Sequence, residues 1–130
     1  MGNLISTLNK INIINFEDVL NNLNNKNYII INTLNENNQN CLIINTINID
    51  KEVEIINNYI KKDKSINIII YGKNCSDKTI ISKYYQLLNL GFQNLFIYFG
   101  GMFEWLLLQD IYGKDAFITT TNEIDILKYK

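Results

Sequence analysis

The chain contains no histidine, no proline and no arginine. Without histidine, the protein cannot form a histidine-based catalytic triad, histidine metal ligands or a histidine proton shuttle. Without arginine, it lacks the residue that best holds a phosphoryl group through two parallel hydrogen bonds, which disfavours a phosphatase. Asparagine and isoleucine are in strong excess, so we attribute the missing residue types to an AT-rich coding bias. The lack of arginine therefore carries less weight than it would in a chain of ordinary composition.

The chain also lacks a strong net charge, which is formally -1 at neutral pH. This value gives no long-range field for nucleic acid, and we expect no nucleic-acid partner. The two cysteines, Cys41 and Cys75, are too few for a disulfide framework, and we expect reduced thiols. No secretory signal or apolar run of transmembrane length is visible, so we expect a cytoplasmic protein. The composition indicates neither a metal site nor a cofactor.

Short apolar runs alternate with segments of helical periodicity along the chain of 130 residues, a length that supports one domain with one core. Asparagine clusters lie between the runs and are typical of turns. The predicted strands are residues 11–14, 28–31, 43–49, 66–71 and 95–99. The predicted helices are residues 16–23, 53–62, 79–90, 102–111 and 120–127.

Three end signals support these helices. Ser76 or Asp77 is the expected N-cap of helix 79–90, and Gly91 is its expected stop. Thr120 and Glu123 have the spacing of a capping box, which predicts the last helix.

We expect Trp105, Phe103 and residues 106–108 to lie in the core, and Cys41 to be partly buried. We expect Gly100-Gly101 to require positive φ. A surface stripe for a protein partner is the alternative for residues 102–108.

The strands are continuous apolar runs, which predicts a mostly parallel sheet covered by helices on both faces. Such sheets bind ligands beyond the carboxyl ends of their strands. The loop of residues 72–79 follows a buried strand and leads into a helix, so it lies at that edge. Its backbone N–H groups and the helix dipole stabilise an anion, and they would also lower the pKa of a cysteine thiol held among them.

The order of features in residues 68–105 carries a family resemblance. An apolar strand ending at Tyr71 is followed by the polar loop, a helix, Gly91-Phe92, a second strand, Gly100-Gly101 and Trp105. This order resembles the second half of a rhodanese domain. The first half matches more weakly, through residues 30–33 and 42–48. Residues 103–113 are similar to those of single-domain rhodanese-like proteins of large DNA viruses.

The resemblance implies a three-layer α/β fold with a central five-stranded sheet, and a sulfur-carrying cysteine at the start of the loop. Counted from the strand, that cysteine falls on Gly72. Counted back from Gly91, it falls near Asn74, beside Cys75. The loop is therefore longer than the usual rhodanese loop, and Cys75 lies within it but not at its start.

Two functions follow from this register. In the first, the domain is a non-catalytic, degenerate binding or regulatory module. Its loop would bind a protein partner or a small anion, through Gly72, Lys73, Asn74, Ser76, Asp77, Lys78 and Thr79. In the second, the domain is a sulfurtransferase that uses Cys75 as a sulfur carrier, with Lys73 and Lys78 as cations. We favour the first, because displacement of the sulfur changes which N–H groups it meets and because the charge of Asp77 opposes a thiolate.

The predicted organisation is an N-terminal segment 1–10, a rhodanese-like domain 11–113 and a C-terminal helical extension 114–130 packed on the domain. The first six residues, Met-Gly-Asn-Leu-Ile-Ser, fit the N-myristoylation pattern at Gly2. The alternative is an ordinary start with a chance glycine. A single acyl chain binds membranes weakly, and Lys10 is the only early base, so acylation predicts reversible peripheral membrane association.

Acylation at Gly2 is tested by co-expressing the chain with a eukaryotic N-myristoyltransferase and measuring the intact mass. We expect a gain equal to one myristoyl group in the wild type. The matched control is Gly2→Ala, which removes the required acceptor and should show no gain. An unshifted wild-type mass would exclude the acylation.

Overall fold

The structure, a computed structural model, describes residues 11–130. The predicted N-terminal segment and its Gly2 site lie outside the described residues. The described residues form a five-stranded sheet in the order β1-β5-β4-β2-β3, and each pair of neighbouring strands is parallel. The strands are β1 (Ile13–Ile14), β2 (Tyr28–Asn32), β3 (Thr46–Ile47), β4 (Asn67–Tyr71) and β5 (Leu95–Tyr98). The main helices are α1 (Phe16–Asn22), α2 (Ile49–Lys62), α3 (Thr79–Asn89) and α4 (Gly101–Tyr112).

Strand β4 lies at the centre of the sheet, and alternate side chains enter two separate cores. Ile69 and Tyr71 pack in the core that contains Trp105 of α4, whereas Ile68 and Ile70 pack in the core that contains Ile80 of α3. All four of these β4 side chains are fully buried. Each such apolar side chain contributes about 1.5–3 kcal/mol relative to an exposed one. The predicted three-layer α/β fold is confirmed.

Local sequence signals explain where the helices begin and end. Helix α1 begins with a capping box between Asn15 and Asp18. Lys61 and Lys62 close α2, as predicted. The N-cap position of α3 is Lys78, which makes no side-chain cap. Asp77 nevertheless accepts a hydrogen bond from the Thr79 backbone N–H at 3.0 Å, so it provides the capping acceptor from one residue further back.

The prediction of a final helix over residues 120–127 is wrong. Only one 3-10 turn, Ile126–Tyr129, forms there. The Thr120 hydroxyl accepts a hydrogen bond from the Leu42 backbone N–H at 3.0 Å, so it does not cap a helix. Ile43 and Thr119 form an antiparallel bridge beside this contact. Pairing between distant segments therefore overrides the local helix signal at Thr120. The predicted strand 43–49 is reduced to β3, because the Thr46 N–H donates to the Ile43 carbonyl at 3.1 Å to close a turn with Asn45 at φ 68°, and because α2 already begins at Ile49.

The C-terminal segment 114–130 packs against α4. The Phe117 ring lies edge-on to Trp105 with ring centroids 5.1 Å apart. The Gln109 side chain donates to the Phe117 carbonyl at 2.7 Å, and Tyr129 is fully buried. Trp105 belongs to the core, as predicted, but Leu107 is 40% exposed, so its prediction as a core residue is wrong.

Within residues 11–130, no helix combines the length and the apolar character needed to cross a membrane.

The first turn of α4 holds the start of the loop 72–79. The backbone N–H groups of Met102 and Phe103 donate to the carbonyls of Gly72 and Lys73, both at 3.0 Å. Gly101 has φ +65°, and a Cβ there would lie 2.5 Å from the Gly72 carbonyl oxygen. The predicted positive φ is confirmed at Gly101. It is wrong at Gly100, whose φ is -54°.

Substituting Gly101 by alanine should destabilise the protein more than substituting Gly113 by alanine. Both glycines have positive φ, but a Cβ on Gly113 has no neighbour within 4 Å. We therefore expect both variants to lose about 1–3 kcal/mol through a positive-φ backbone that alanine rarely adopts. Gly101→Ala should lose about 1–3 kcal/mol more through its clash with the loop. Urea unfolding measures the difference, and equal losses would contradict this close approach.

Candidate functional site

A cleft of about 380 Å³ opens at the carboxyl ends of β2 and β4, where the parallel sheet predicts a ligand site. One wall follows β2, and the other is the predicted loop after β4. The lining residues are Thr33, Leu34, Asn35, Asn38, Lys73, Asn74, Ser76, Asp77, Lys78 and Thr79. The structure thus brings six of the predicted loop residues together around one cleft. Gly72 and Cys75 are not among the lining residues.

The Asp77 carboxylate takes the hydrogen-bond donors inside the loop. One oxygen accepts from the Lys73 backbone N–H at 3.0 Å, and the other accepts from the Thr79 backbone N–H at 3.0 Å and its hydroxyl at 2.5 Å. Partial burial opposes the charged form, but these hydrogen bonds and the nearby Lys73 charge outweigh it and lower the pKa of Asp77. The carboxylate is therefore ionised at neutral pH and acts as the anion that this loop holds.

Position 72, where the strand register places a rhodanese cysteine, has no room for a side chain. A Cβ on Gly72 would lie 2.5 Å from an Asp77 carboxylate oxygen and 2.5 Å from the Thr33 hydroxyl. It would also lie 2.8 Å from a side-chain carbon of Ile80. With the Asp77 carboxylate at this distance, position 72 thus accommodates glycine but not a residue with a Cβ.

Cys75 lies at the exposed outer corner of a turn. The Asp77 backbone N–H donates to the Asn74 carbonyl at 3.1 Å, which closes residues 74–77 as a β-turn with Cys75 at its second position. The Asn74 side chain reinforces the turn by accepting from the Ser76 backbone N–H at 2.9 Å. The candidate sulfur carrier is therefore on the solvent side of the loop and not in the cleft.

Asn74, the position given by the register from Gly91, has a structural contact. Its side-chain amide donates to the Tyr129 carbonyl at 2.8 Å, which joins the loop to the C-terminal segment. The other cysteine, Cys41, is fully buried and donates to the Thr121 carbonyl with a sulfur–oxygen distance of 3.5 Å.

The cations predicted for this site are present. Lys73 and Lys78 both line the cleft and are exposed. The ion pairs in the described part of the chain are Lys83–Glu52 and Lys128–Glu123, so neither cleft lysine is paired there. In the same residues, no group of three or more cysteines or carboxylates is placed to hold a metal ion.

Asn32 and Gln39 form a pair that supports the opposite wall of the cleft and that was not predicted from the sequence. Asn32 is buried at the end of β2, and its side-chain oxygen accepts from the Gln39 amide at 2.7 Å and from the Leu34 backbone N–H at 3.0 Å. Its amide donates to the Ile47 carbonyl at 3.1 Å. A polar residue that closes an otherwise apolar strand was the available signal, because a buried amide needs partners.

Tyr71, which ends β4, has a structural role on the other face of the sheet. Its hydroxyl accepts from the Ile43 backbone N–H at 3.1 Å and lies 2.8 Å from the Thr46 hydroxyl. Burial raises the pKa of Tyr71 and outweighs these hydrogen bonds, so the phenol is neutral. The Tyr71 side chain therefore holds β3 and the residues just before it through hydrogen bonds, and it contributes no charge.

A double-mutant cycle tests whether Gly72 and Asp77 share one space. Gly72→Ala should lose about 1–3 kcal/mol of unfolding free energy, because its Cβ overlaps the carboxylate. In the Asp77→Ala background the same substitution should cost less, by an interaction energy of about 0.5–3 kcal/mol. Urea unfolding of the four proteins gives this energy. Additive costs would contradict the shared space.

Comparisons with known proteins agree with this architecture. The family model described as the rhodanese-like domain matches residues 15–108. The crystal structure of the Alr3790 protein from Anabaena sp. has a TM-score of 0.60 and 19% identity, with 87% of this chain and 83% of that chain covered. The structure of the Rhodanese_3-like domain of the same protein has a TM-score of 0.48 and 19% identity, with 66% and 94% covered. No curated protein matches the chain.

The first of these structures supports the fold alone. The similarity to proteins of large DNA viruses stays a prediction. The family model, in contrast, spans well over half of the chain, from α1 into α4. The chain therefore belongs to the rhodanese-like domain family.

Proposed function

We propose that this rhodanese-like domain is a non-catalytic binding module. The observation that carries the proposal is the position of Asp77, whose carboxylate binds backbone N–H groups of the loop while Cys75 is exposed at the loop's outer corner. A sulfur carrier needs a thiolate surrounded by N–H donors. Here the donors of Lys73 and Thr79 already bind the carboxylate.

The alternative function, sulfur transfer through Cys75, requires the turn 74–77 to rearrange. Moving Cys75 inward breaks the two hydrogen bonds within the turn and the one from Asn74 to the C-terminal segment. Each such hydrogen bond contributes about 0.5–1.5 kcal/mol. The sulfur would then meet the Asp77 charge, which disfavours a thiolate. These costs support the non-catalytic function over the alternative.

The cleft supports recognition of a polar, negatively charged group. Lys73 and Lys78 add two cations to the lining against the one carboxylate of Asp77, and Asn35 and Asn38 bring amides from the other wall. A carboxylate or another small oxyanion matches this chemistry, whether it is free or carried on a protein partner. An acyl chain on Gly2 would in addition hold the module weakly at a membrane surface, because one chain gives reversible binding.

Sulfur transfer is tested with thiosulfate as donor and cyanide as acceptor. We expect the wild type and Cys75→Ser to form thiocyanate no faster than protein-free buffer, because neither has a thiol held among the N–H donors that bind Asp77. Intact mass after thiosulfate treatment should show no added sulfur atom. A rhodanese with a cysteine at the start of its loop is the positive control. Wild-type activity that disappears in Cys75→Ser would overturn the non-catalytic function in favour of the alternative.

A further inference from the structure

The geometry points to Asp77 as the residue that determines the chemistry of this loop. We infer that its carboxylate replaces the side chain of a sulfur carrier, so that a thiol placed at position 72 cannot become a persulfide while Asp77 is present. This inference rests on the proposed non-catalytic function and adds its cause. The absence of a cysteine at position 72 is then not the only obstacle to sulfur transfer, because the Asp77 carboxylate also fills the space that the cysteine side chain would need.

Distance gives the first argument. A Cβ at position 72 would lie 2.5 Å from an Asp77 oxygen, well inside van der Waals contact, and a cysteine sulfur extends further still. The carboxylate cannot easily turn away, because one oxygen is bound to the Lys73 backbone N–H and the other to Thr79. The Thr33 hydroxyl at 2.5 Å and a side-chain carbon of Ile80 at 2.8 Å are uncharged, and both stay when Asp77 is replaced, so they do not distinguish the variants with and without Asp77.

Charge gives the second argument. Persulfide formation begins when a thiolate attacks the outer sulfur of thiosulfate, whose sulfur–sulfur bond breaks and releases sulfite with the bonding electron pair. Both reactants are anions, and an adjacent carboxylate disfavours each of them. Asp77 also binds the N–H groups of Lys73 and Thr79 that would otherwise stabilise the thiolate. Removing Asp77 takes the carboxylate out of this space and frees these donors.

The test introduces the thiol in a background that lacks Cys75. Gly72→Cys/Cys75→Ser and Gly72→Cys/Cys75→Ser/Asp77→Ala are compared after treatment with thiosulfate. We expect the triple variant to gain the mass of one sulfur atom and the double variant to gain none. The pH dependence of alkylation by iodoacetamide should show a lower thiol pKa in the triple variant. Equal sulfur uptake by both, or none by a folded triple variant, would overturn the inference.

A second measurement does not require a side chain at position 72. In Asp77→Ala, thiosulfate should shift the amide NMR signals of Lys73 and Thr79 in a saturable way, because both donors have lost their acceptor. The wild type should show a smaller shift at these two amides, because Asp77 still binds both donors, and so should Asp115→Ala, which removes an exposed aspartate outside the cleft. An equal shift in the wild type, or none in folded Asp77→Ala, would count against the inference. Sulfur transfer by wild-type Cys75 would instead contradict only the proposed function.

Discussion

Burial of β4 on both faces is the constraint on which the rest of the structure depends. Its side chains alternate between two cores, so a shift of one residue would exchange Tyr71 and Ile70 between them. The register with β2 and β5 is therefore strongly specified. Because the strand ends at Tyr71, the loop must begin at Gly72 and must lie beside the end of β2. The position of the cleft therefore follows from the register of the strands and not from the residues that line it.

The loop is held by contacts that come from three directions. The first turn of α4 binds its opening carbonyls, Asn74 binds the C-terminal segment, and Asp77 binds the backbone from inside. In a cysteine-initiated loop the inner N–H groups would instead stabilise an anion, which is the thiolate or a ligand bound at it. Here the chain supplies that anion itself, which stabilises the loop in the absence of a ligand.

Much of the fold could be predicted from the sequence, because apolar runs and helical periodicity are local signals that the two cores reinforce. The final helix could not, since the Thr120 hydroxyl binds the Leu42 backbone across the chain. The same distinction between local signals and contacts across the chain applies to the candidate site. The position of the loop and the unfavourable sign of the Asp77 charge follow from the sequence. The hydrogen bonds of that carboxylate, and the support of the opposite wall by Asn32 and Gln39, depend on side-chain positions that only the folded chain defines.

The pairing of Gly72 with Asp77 also bears on how such a loop keeps its shape with glycine, and not cysteine, at position 72. A cysteine-to-glycine change by itself leaves an empty space and unpaired N–H groups, and both are costly in a partly buried loop. A carboxylate that fills the space and binds the donors removes both costs. Once it is in place, any side chain at position 72 is opposed by close contact with it. Glycine at position 72 and the carboxylate of Asp77 are thus compatible with each other, and the contacts that hold the loop involve no sulfur atom.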